Sequence, residues 1–107
     1  MNDIKLMNKA ADNIRILAAS MVEKAKSGHP GGAMGGADFV NVLFSEFLVY
    51  DPKNPAWEGR DRYFQDPGHM SPMLYSVLAL AGKFTIDELK EFRQWGSVTP
   101  GHPEVNV

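Results

Sequence analysis

The 107-residue sequence contains no cysteine, which excludes a disulfide framework and a thiolate zinc site. It also lacks an apolar run long enough to cross a bilayer, and its first residues do not form a signal-peptide pattern. The 11 basic and 13 acidic side chains are interspersed, and no basic stripe of the kind that binds nucleic acid is present. We therefore predict a cytoplasmic protein with neither a membrane partner nor a nucleic-acid partner.

The length and composition indicate one globular domain. Apolar residues make up 44% and charged residues 22% of the chain, as is ordinary for a soluble protein. A chain of 107 residues can bury one hydrophobic core but is short for two. Trp57, Trp95 and the phenylalanines are the large side chains that we expect to fill this core.

Hydrophobic spacing predicts a mostly α-helical chain with about four helices. Apolar residues recur at steps of three and four over 4–25 and 40–48, which is the period of a helix with one buried face. Two shorter helices are predicted over 71–82 and 85–96. The only β-prone run lies near 62–65, where we predict one short strand.

Local signals define the ends of the last two helices. Ser71 is a favourable N-cap, and Pro72 suits the first helical position. Gly82 provides a stop. Thr85 and Glu88 have the spacing of a capping box.

The predicted strand bears on the completeness of the fold. A single strand is not stable without a partner. If a strand forms near 62–65, its sheet must come from residues that this chain does not contain. The pattern therefore indicates part of a larger domain.

Every histidine in the chain follows a glycine; the three are His29, His69 and His102. With ten glycines in 107 residues, three independent histidines would all do so with odds of roughly one in a thousand. Glycine allows backbone conformations that bring the imidazole close to a bound group. We therefore predict that the three histidines face one site.

The first Gly-His pair lies in a glycine-rich stretch, 27–36, which we interpret as a turn between two helices. It lacks the Gly-Lys-Ser/Thr ending of a phosphate-binding loop. It also follows no strand, so a dinucleotide-binding fingerprint is excluded. Taken alone, this stretch is as compatible with a surface loop as with a functional one.

The other two histidines also have two interpretations each. His69 stands just before the predicted helix start at Ser71, where the helix dipole suits an anion such as a phosphate. His102 lies between Gly101 and Pro103 in a stiff bend, which suits a preorganised catalytic group. Both are also compatible with exposed loops. An open zinc site of three histidines is a further alternative, although no helical ligand spacing supports it.

Five short segments carry a family resemblance by their order and spacing. They are Ser-Gly-His-Pro-Gly at 27–31, Met-Gly at 34–35, Arg-Asp-Arg-Tyr-Phe at 60–64, Gly-His at 68–69 and Thr-Pro-Gly-His-Pro-Glu at 99–104. Together they resemble the N-terminal part of transketolases, and the resemblance extends over nearly the whole chain.

The resemblance implies an α/β thiamine-diphosphate-binding fold in the full enzyme, of which residues 1–107 are an incomplete N-terminal portion of one domain. It implies transfer of a two-carbon ketol unit from a ketose phosphate to an aldose phosphate. It also implies Mg²⁺, with ligands outside this chain, and a homodimer in which the rest of the enzyme completes the site. The 107 residues alone are therefore expected to be inactive.

The resemblance also implies roles for individual residues. His29 and His102 correspond to catalytic and substrate-binding histidines, and His69 with Gly68 corresponds to the cofactor-binding segment. No metal ligand is carried over. The sequence departs from the family around the second Gly-His pair, where Asp-Pro stands at 66–67 and Met70 follows the histidine.

Two other functions remain open at this point. One is a related thiamine-diphosphate synthase of the type that makes deoxyxylulose phosphate, which shares mainly the first two histidine segments. The other is a small helical interaction or metal-binding module without catalysis. The preference for particular donor and acceptor sugars is not predicted, because the phosphate-end contacts lie elsewhere in the family.

Overall fold

A computed structural model of the chain describes residues 3–104 and is mostly helical, as predicted. Its five α-helices are α1 (Ile4–Ala25), α2 (Pro30–Gly35), α3 (Ala37–Val42), α4 (Ser71–Ala81) and α5 (Ile86–Lys90). A π-helical turn, Leu43–Phe47, extends α3, and a 3₁₀ turn, Gly68–Met70, leads into α4. Within 3–104, no helix is both long enough and apolar enough to cross a membrane.

Helix α1 forms because its apolar stripe and its caps agree. The Asp3 side chain accepts a hydrogen bond from the backbone N–H of Leu6 at 3.2 Å, which caps the first turn. Ile14 and Ala18 on the stripe are fully buried. The helix ends at Ala25, and Lys26 caps it with a left-handed φ of 54°.

Helix α4 is the central element of the fold. All seven residues from Ser71 to Val77 are buried, so this part of the helix is enclosed on every side. One cluster of apolar side chains joins it to α1, α2 and α3; its fully buried members are Ile14, Ala18, Ala33, Ala37 and Val40. A second cluster, formed by Met21, Tyr75, Phe84, Leu89 and Phe92, joins α4 to α1 and α5.

Two local predictions for the end of the chain are confirmed. Gly82 ends α4 in a left-handed conformation, with φ of 100°. Thr85 and Glu88 form a full capping box at the start of α5, in which each side chain bonds the other residue's backbone N–H.

The glycine-rich stretch is a helix rather than a turn. Pro30 occupies the first helical turn of α2, where its missing N–H costs nothing. Glycine has a low intrinsic preference for helices. Helix α2 is therefore stabilised by close packing against its neighbours. A Cβ on Gly32 would lie 2.9 Å from Met70 Cγ, and one on Gly36 would lie 2.6 Å from Met73 Sδ. Only glycine lets α2 approach the start of α4 so closely.

The strand predicted near 62–65 does not form within the described residues. Asp61 N–H donates to the carbonyl of Val49 at 2.7 Å, and Val49 N–H donates to the Asp61 carboxylate at 2.8 Å. The Asp61 carboxylate thus accepts the hydrogen bond that a backbone carbonyl of a partner strand would accept in a sheet. The following Tyr63 instead packs its ring against Phe44, with centroids 5.1 Å apart.

The prediction that all the large aromatic side chains lie in the core is wrong. Trp57 is 43% exposed, and Trp95 is fully exposed. Three phenylalanines, Phe39, Phe47 and Phe64, are at least 70% exposed. Helical spacing identifies apolar positions but does not reveal whether a second layer covers them.

The contact between α2 and Met70 generates a test with an internal control. Gly32→Ala should lower the free energy of unfolding by about 1–2 kcal/mol, because the new methyl group displaces Met70. Gly31→Ala should raise it by about 0.5 kcal/mol, because a Cβ there meets nothing within 4 Å and alanine favours the helix. Urea unfolding midpoints measure both changes; equal effects would contradict this packing.

Candidate functional site

His29 and His69 meet at the junction of α2 and α4. His29 is the residue before α2, with extended backbone at φ −126° and ψ 107°. His69 lies in the 3₁₀ turn that leads into α4. The two imidazole rings are 4.7 Å apart between centroids and tilted by 60°. The helix packing described above therefore brings together two histidines that lie 40 positions apart (69 − 29).

His102 joins this pair through Gly68. A Cβ on Gly68 would lie 2.9 Å from His102 Nδ1 and 3.4 Å from its Cγ. The His102 ring thus lies directly against the backbone that precedes His69. The structure brings all four predicted site residues, Gly68 and the three histidines, to one location.

The ring nitrogens at this location are available to a ligand. Within residues 3–104, none of the three imidazoles makes a hydrogen bond to another residue. His29 and His102 are exposed and His69 is half-buried. Each imidazole can both donate and accept, so the group suits a ligand with hydroxyl and anionic oxygen atoms.

The loop that carries His102 is held by three side chains that the sequence did not single out for this purpose. Ser71 Oγ donates to the carbonyl of Gly101 at 2.6 Å, and the Tyr75 hydroxyl donates to the carbonyl of Pro100 at 2.6 Å. Thr99 Oγ1 donates to a backbone carbonyl of α5 at 3.2 Å.

Ser71 therefore has a different role from the N-cap that its sequence position predicts. It is the first residue of α4, and Met70 occupies the cap position without a side-chain hydrogen bond. The Ser71 hydroxyl is directed to Gly101, 30 residues away in sequence. A local sequence pattern around Ser71 cannot identify a hydrogen-bond partner that lies 30 residues away.

Burial keeps the Tyr75 hydroxyl protonated. The side chain is fully buried, and its ring packs against Phe84 and Phe92. Burial raises the pKa of Tyr75 well above its usual range, and the negative charge of Glu104 raises the pKa further. The phenol therefore remains a hydrogen-bond donor to Pro100.

The described residues do not supply a metal site. Among residues 3–104, no group of three or more histidine or carboxylate side chains has an arrangement that could hold a metal ion. The three histidines thus do not form the zinc site considered above. Mg²⁺ likewise has no carboxylate cluster to bind within this range.

A cleft lies beside the His102 loop, with Pro100, Gly101 and Glu104 in its lining. Its volume is about 820 Å³, and its lining includes Lys83, Arg93 and Trp95 but none of the histidines. Burial lowers the pKa of Lys83, and the charge of Glu88 partly opposes this. The lining mixes both signs of charge, so the histidine cluster remains the better candidate site.

Comparison with known proteins identifies the type of domain. A family model described as "Transketolase, thiamine diphosphate binding domain" matches residues 6–107. Residues 6–107 thus belong to a cofactor-binding domain of the thiamine diphosphate class. The chain belongs to the transketolase family.

Similar curated proteins agree with this assignment. The chain is 54% identical over 101 residues to the transketolase of Buchnera aphidicola. This match covers 94% of this chain and 15% of that protein. It is 52% identical over 96 residues to transketolase 1 of Escherichia coli, covering 89% of this chain and 14% of the relative. The chain thus spans about one seventh of the length of the curated relatives it matches.

Solved structures of transketolases share the fold. The transketolase of Campylobacter jejuni matches 98% of this chain and 17% of its own, with a TM-score of 0.89 and 46% identity. A Pichia stipitis transketolase in complex with sedoheptulose-7-phosphate matches 92% of this chain and 14% of its own, with a TM-score of 0.87 and 44% identity.

The contact between Gly68 and His102 can be tested by substitution. Gly68→Ala places a methyl group 2.9 Å from His102 Nδ1, so the exposed His102 ring should move away. The expected result is a changed His102 ring-proton NMR signal and loss of its nuclear Overhauser effect to residue 68. Gly31→Ala is the control, and an unmoved His102 signal in Gly68→Ala would contradict the contact.

The three tyrosines, of which Tyr75 is buried and Tyr50 and Tyr63 are half-buried, predict an alkaline loss of stability. Burial raises the pKa of Tyr50, Tyr63 and Tyr75 above the ordinary value of 10.0. Above about pH 10 the unfolded chain therefore loses phenol protons that the folded chain keeps, and the free energy of unfolding should fall. Below that pH the tyrosines are protonated in both states, so they should not make the free energy of unfolding depend on pH.

Urea unfolding on both sides of pH 10 measures this dependence. Tyr75→Phe should show a shallower alkaline fall than the parent chain, because it removes the largest of the three shifts. The lowered pKa of Lys83 acts in the opposite direction but is common to both proteins. Identical slopes would show that Tyr75 ionises normally.

Proposed function

We propose that this chain forms one wall of the active site of a transketolase, which transfers a two-carbon ketol unit from a ketose phosphate to an aldose phosphate. The observation that carries the proposal is that the His29 and His69 rings are in contact and the His102 ring lies against Gly68, all three with free ring nitrogens, within a domain of the transketolase family. The Pichia stipitis relatives in complex with xylulose-5-phosphate, sedoheptulose-7-phosphate and fructose-6-phosphate support sugar phosphates as substrates.

The residues of this chain fit a diphosphate cofactor in their donor chemistry. Thiamine diphosphate, when bound, would supply the nucleophilic centre for making and breaking the carbon–carbon bond. His69 lies at the start of α4, where imidazole N–H and helix dipole both favour an anionic group. Gly68, which has no side chain, leaves the space beside this turn that the His102 ring occupies, so the His102 and His69 segments lie close together.

His29 and His102 act on the substrate in this proposal. Both imidazoles are exposed at the site, and each can donate a hydrogen bond to a sugar hydroxyl. His102 also accepts and returns a hydroxyl proton as the carbon–carbon bond breaks and forms, a role for which an imidazole is well suited near neutral pH. Binding by two histidines from separate segments orients the substrate before reaction.

The remaining parts of the site come from outside these residues. The chain spans about one seventh of its relatives, and its described residues hold no Mg²⁺ site. We infer that the magnesium ligands and the opposite wall belong to the rest of the enzyme, which acts as a cytoplasmic homodimer in pentose phosphate metabolism. The exposed Phe39, Phe47 and Phe64 support extensive contacts with that remainder.

The two alternative functions receive less support. Every relative described above is a transketolase, which disfavours the deoxyxylulose-phosphate synthase. The absence of a metal-binding group within residues 3–104 disfavours the metal-binding module.

A chimera tests the function directly. Residues 1–107 replace the matching stretch of Escherichia coli transketolase 1, and ketol transfer from xylulose 5-phosphate is measured. The chimera should be active, and His102→Ala should lower kcat/KM by about 10²-fold or more, because a proton-transferring group is lost. Its dissociation constant for thiamine diphosphate should not change.

His69→Ala in the same chimera is the matched comparison. It should weaken cofactor binding in an equilibrium titration, since His69 lies on the cofactor side of the cluster in this proposal. A folded chimera without ketol transfer would contradict the proposed function. Equal loss of cofactor affinity in both variants would contradict the division of roles.

A further inference from the structure

We propose that Ser71 and Tyr75 are positioning residues that set the direction of the His102 imidazole. The effect on catalysis rests on the proposed function, whereas the effect on the position of His102 does not. Ser71 and Tyr75 donate hydrogen bonds to the carbonyls of Gly101 and Pro100, which immediately precede His102.

The two hydroxyls act as a matched pair. Ser71 and Tyr75 are four residues apart on α4, so both side chains leave the same face of the helix. Both bonds measure 2.6 Å, and they reach the carbonyls of consecutive residues. One bond would fix a point of the loop, but bonds to two successive carbonyls fix the orientation of the peptide between them.

The donors cannot follow the loop if it moves. Ser71 and Tyr75 are fully buried. The Tyr75 ring is held between Phe84 and Phe92, at centroid distances of 5.8 Å and 6.2 Å. The loop must therefore come to the hydroxyls, and the base of the loop is held independently by Thr99 through its bond to α5.

Apart from these bonds, the loop is held mainly through Arg93, whose backbone N–H donates to the carbonyl of Thr99 at 3.0 Å. Residues 99–104 contain no helix or strand. The His102 side chain is exposed and makes no hydrogen bond within residues 3–104. Because Ser71 follows His69 by two positions, the same hydroxyl also ties the His102 loop to the segment that carries His69. The relative position of the two imidazoles therefore depends on this bond.

NMR on the 107-residue chain tests the positioning directly. Each of the three histidines gives its own pair of carbon-bound ring-proton signals, and His102→Gln assigns the pair that belongs to His102. Tyr75→Phe and Ser71→Ala, singly and together, should shift the His102 signal and weaken its nuclear Overhauser effect to Gly68. The signals of His29 and His69 should move far less.

Ser76→Ala is the matched control. Ser76 is also fully buried on α4, but its hydroxyl faces the sulfur of Met21 at 3.8 Å and does not reach the loop. It should leave the His102 signal unchanged. An unchanged His102 signal in a folded Tyr75→Phe chain, or an equal change in Ser76→Ala, would overturn the proposal. If the double variant does not fold, the His102 signal of the nearly isosteric Tyr75→Phe variant decides whether the proposal stands.

The chimera adds a kinetic readout. Tyr75→Phe should lower kcat by about two- to tenfold, the effect of one lost hydrogen bond, and leave the dissociation constant for thiamine diphosphate unchanged. Ser76→Ala should leave both constants unchanged. An unchanged kcat in the Tyr75→Phe chimera would also overturn the catalytic part. An inactive parent chimera would refute the proposed function, whereas the NMR result would still decide the position of His102.

Discussion

The complete burial of the first two turns of α4 is the constraint on which the rest of the structure depends. Apolar side chains of these turns join the helix to its neighbours in two clusters. Its polar groups have no access to water, so each hydroxyl must find a partner inside the protein. The carbonyls of Pro100 and Gly101 are those partners for Tyr75 and Ser71. The core and the position of the His102 loop are thus consequences of the same burial.

Much of the helical fold could be predicted from the sequence, because it follows from local chemistry. The period of the apolar residues in α1 and the capping box at Thr85 are both local signals, and both appear as predicted. Helix α2 could not be predicted, because glycine disfavours helices and close packing against Met70 and Met73 overrides this preference. The short strand failed for a related reason, since strand formation depends on a partner that no local pattern describes.

The candidate site was predictable in its histidines but not in their support. The repeated Gly-His pair pointed to His29, His69 and His102, and the structure places them together. Their assigned roles remain a prediction. The supporting hydroxyls of Ser71 and Tyr75 reach partners 30 and 25 positions away. Only the tertiary structure reveals such pairs, because serine and tyrosine are common in helices for many other reasons.

The contact between Gly32 and Met70 has a consequence for the evolution of this site. A side chain at position 32 competes for the space that Met70 fills, so the two positions are expected to change together rather than independently. A relative with a smaller residue at 70 has room for alanine at 32, whereas either change alone leaves a clash or a void. The two histidine segments are therefore linked by epistasis: a substitution at position 32 or 70 should be less destabilising when the other position changes with it.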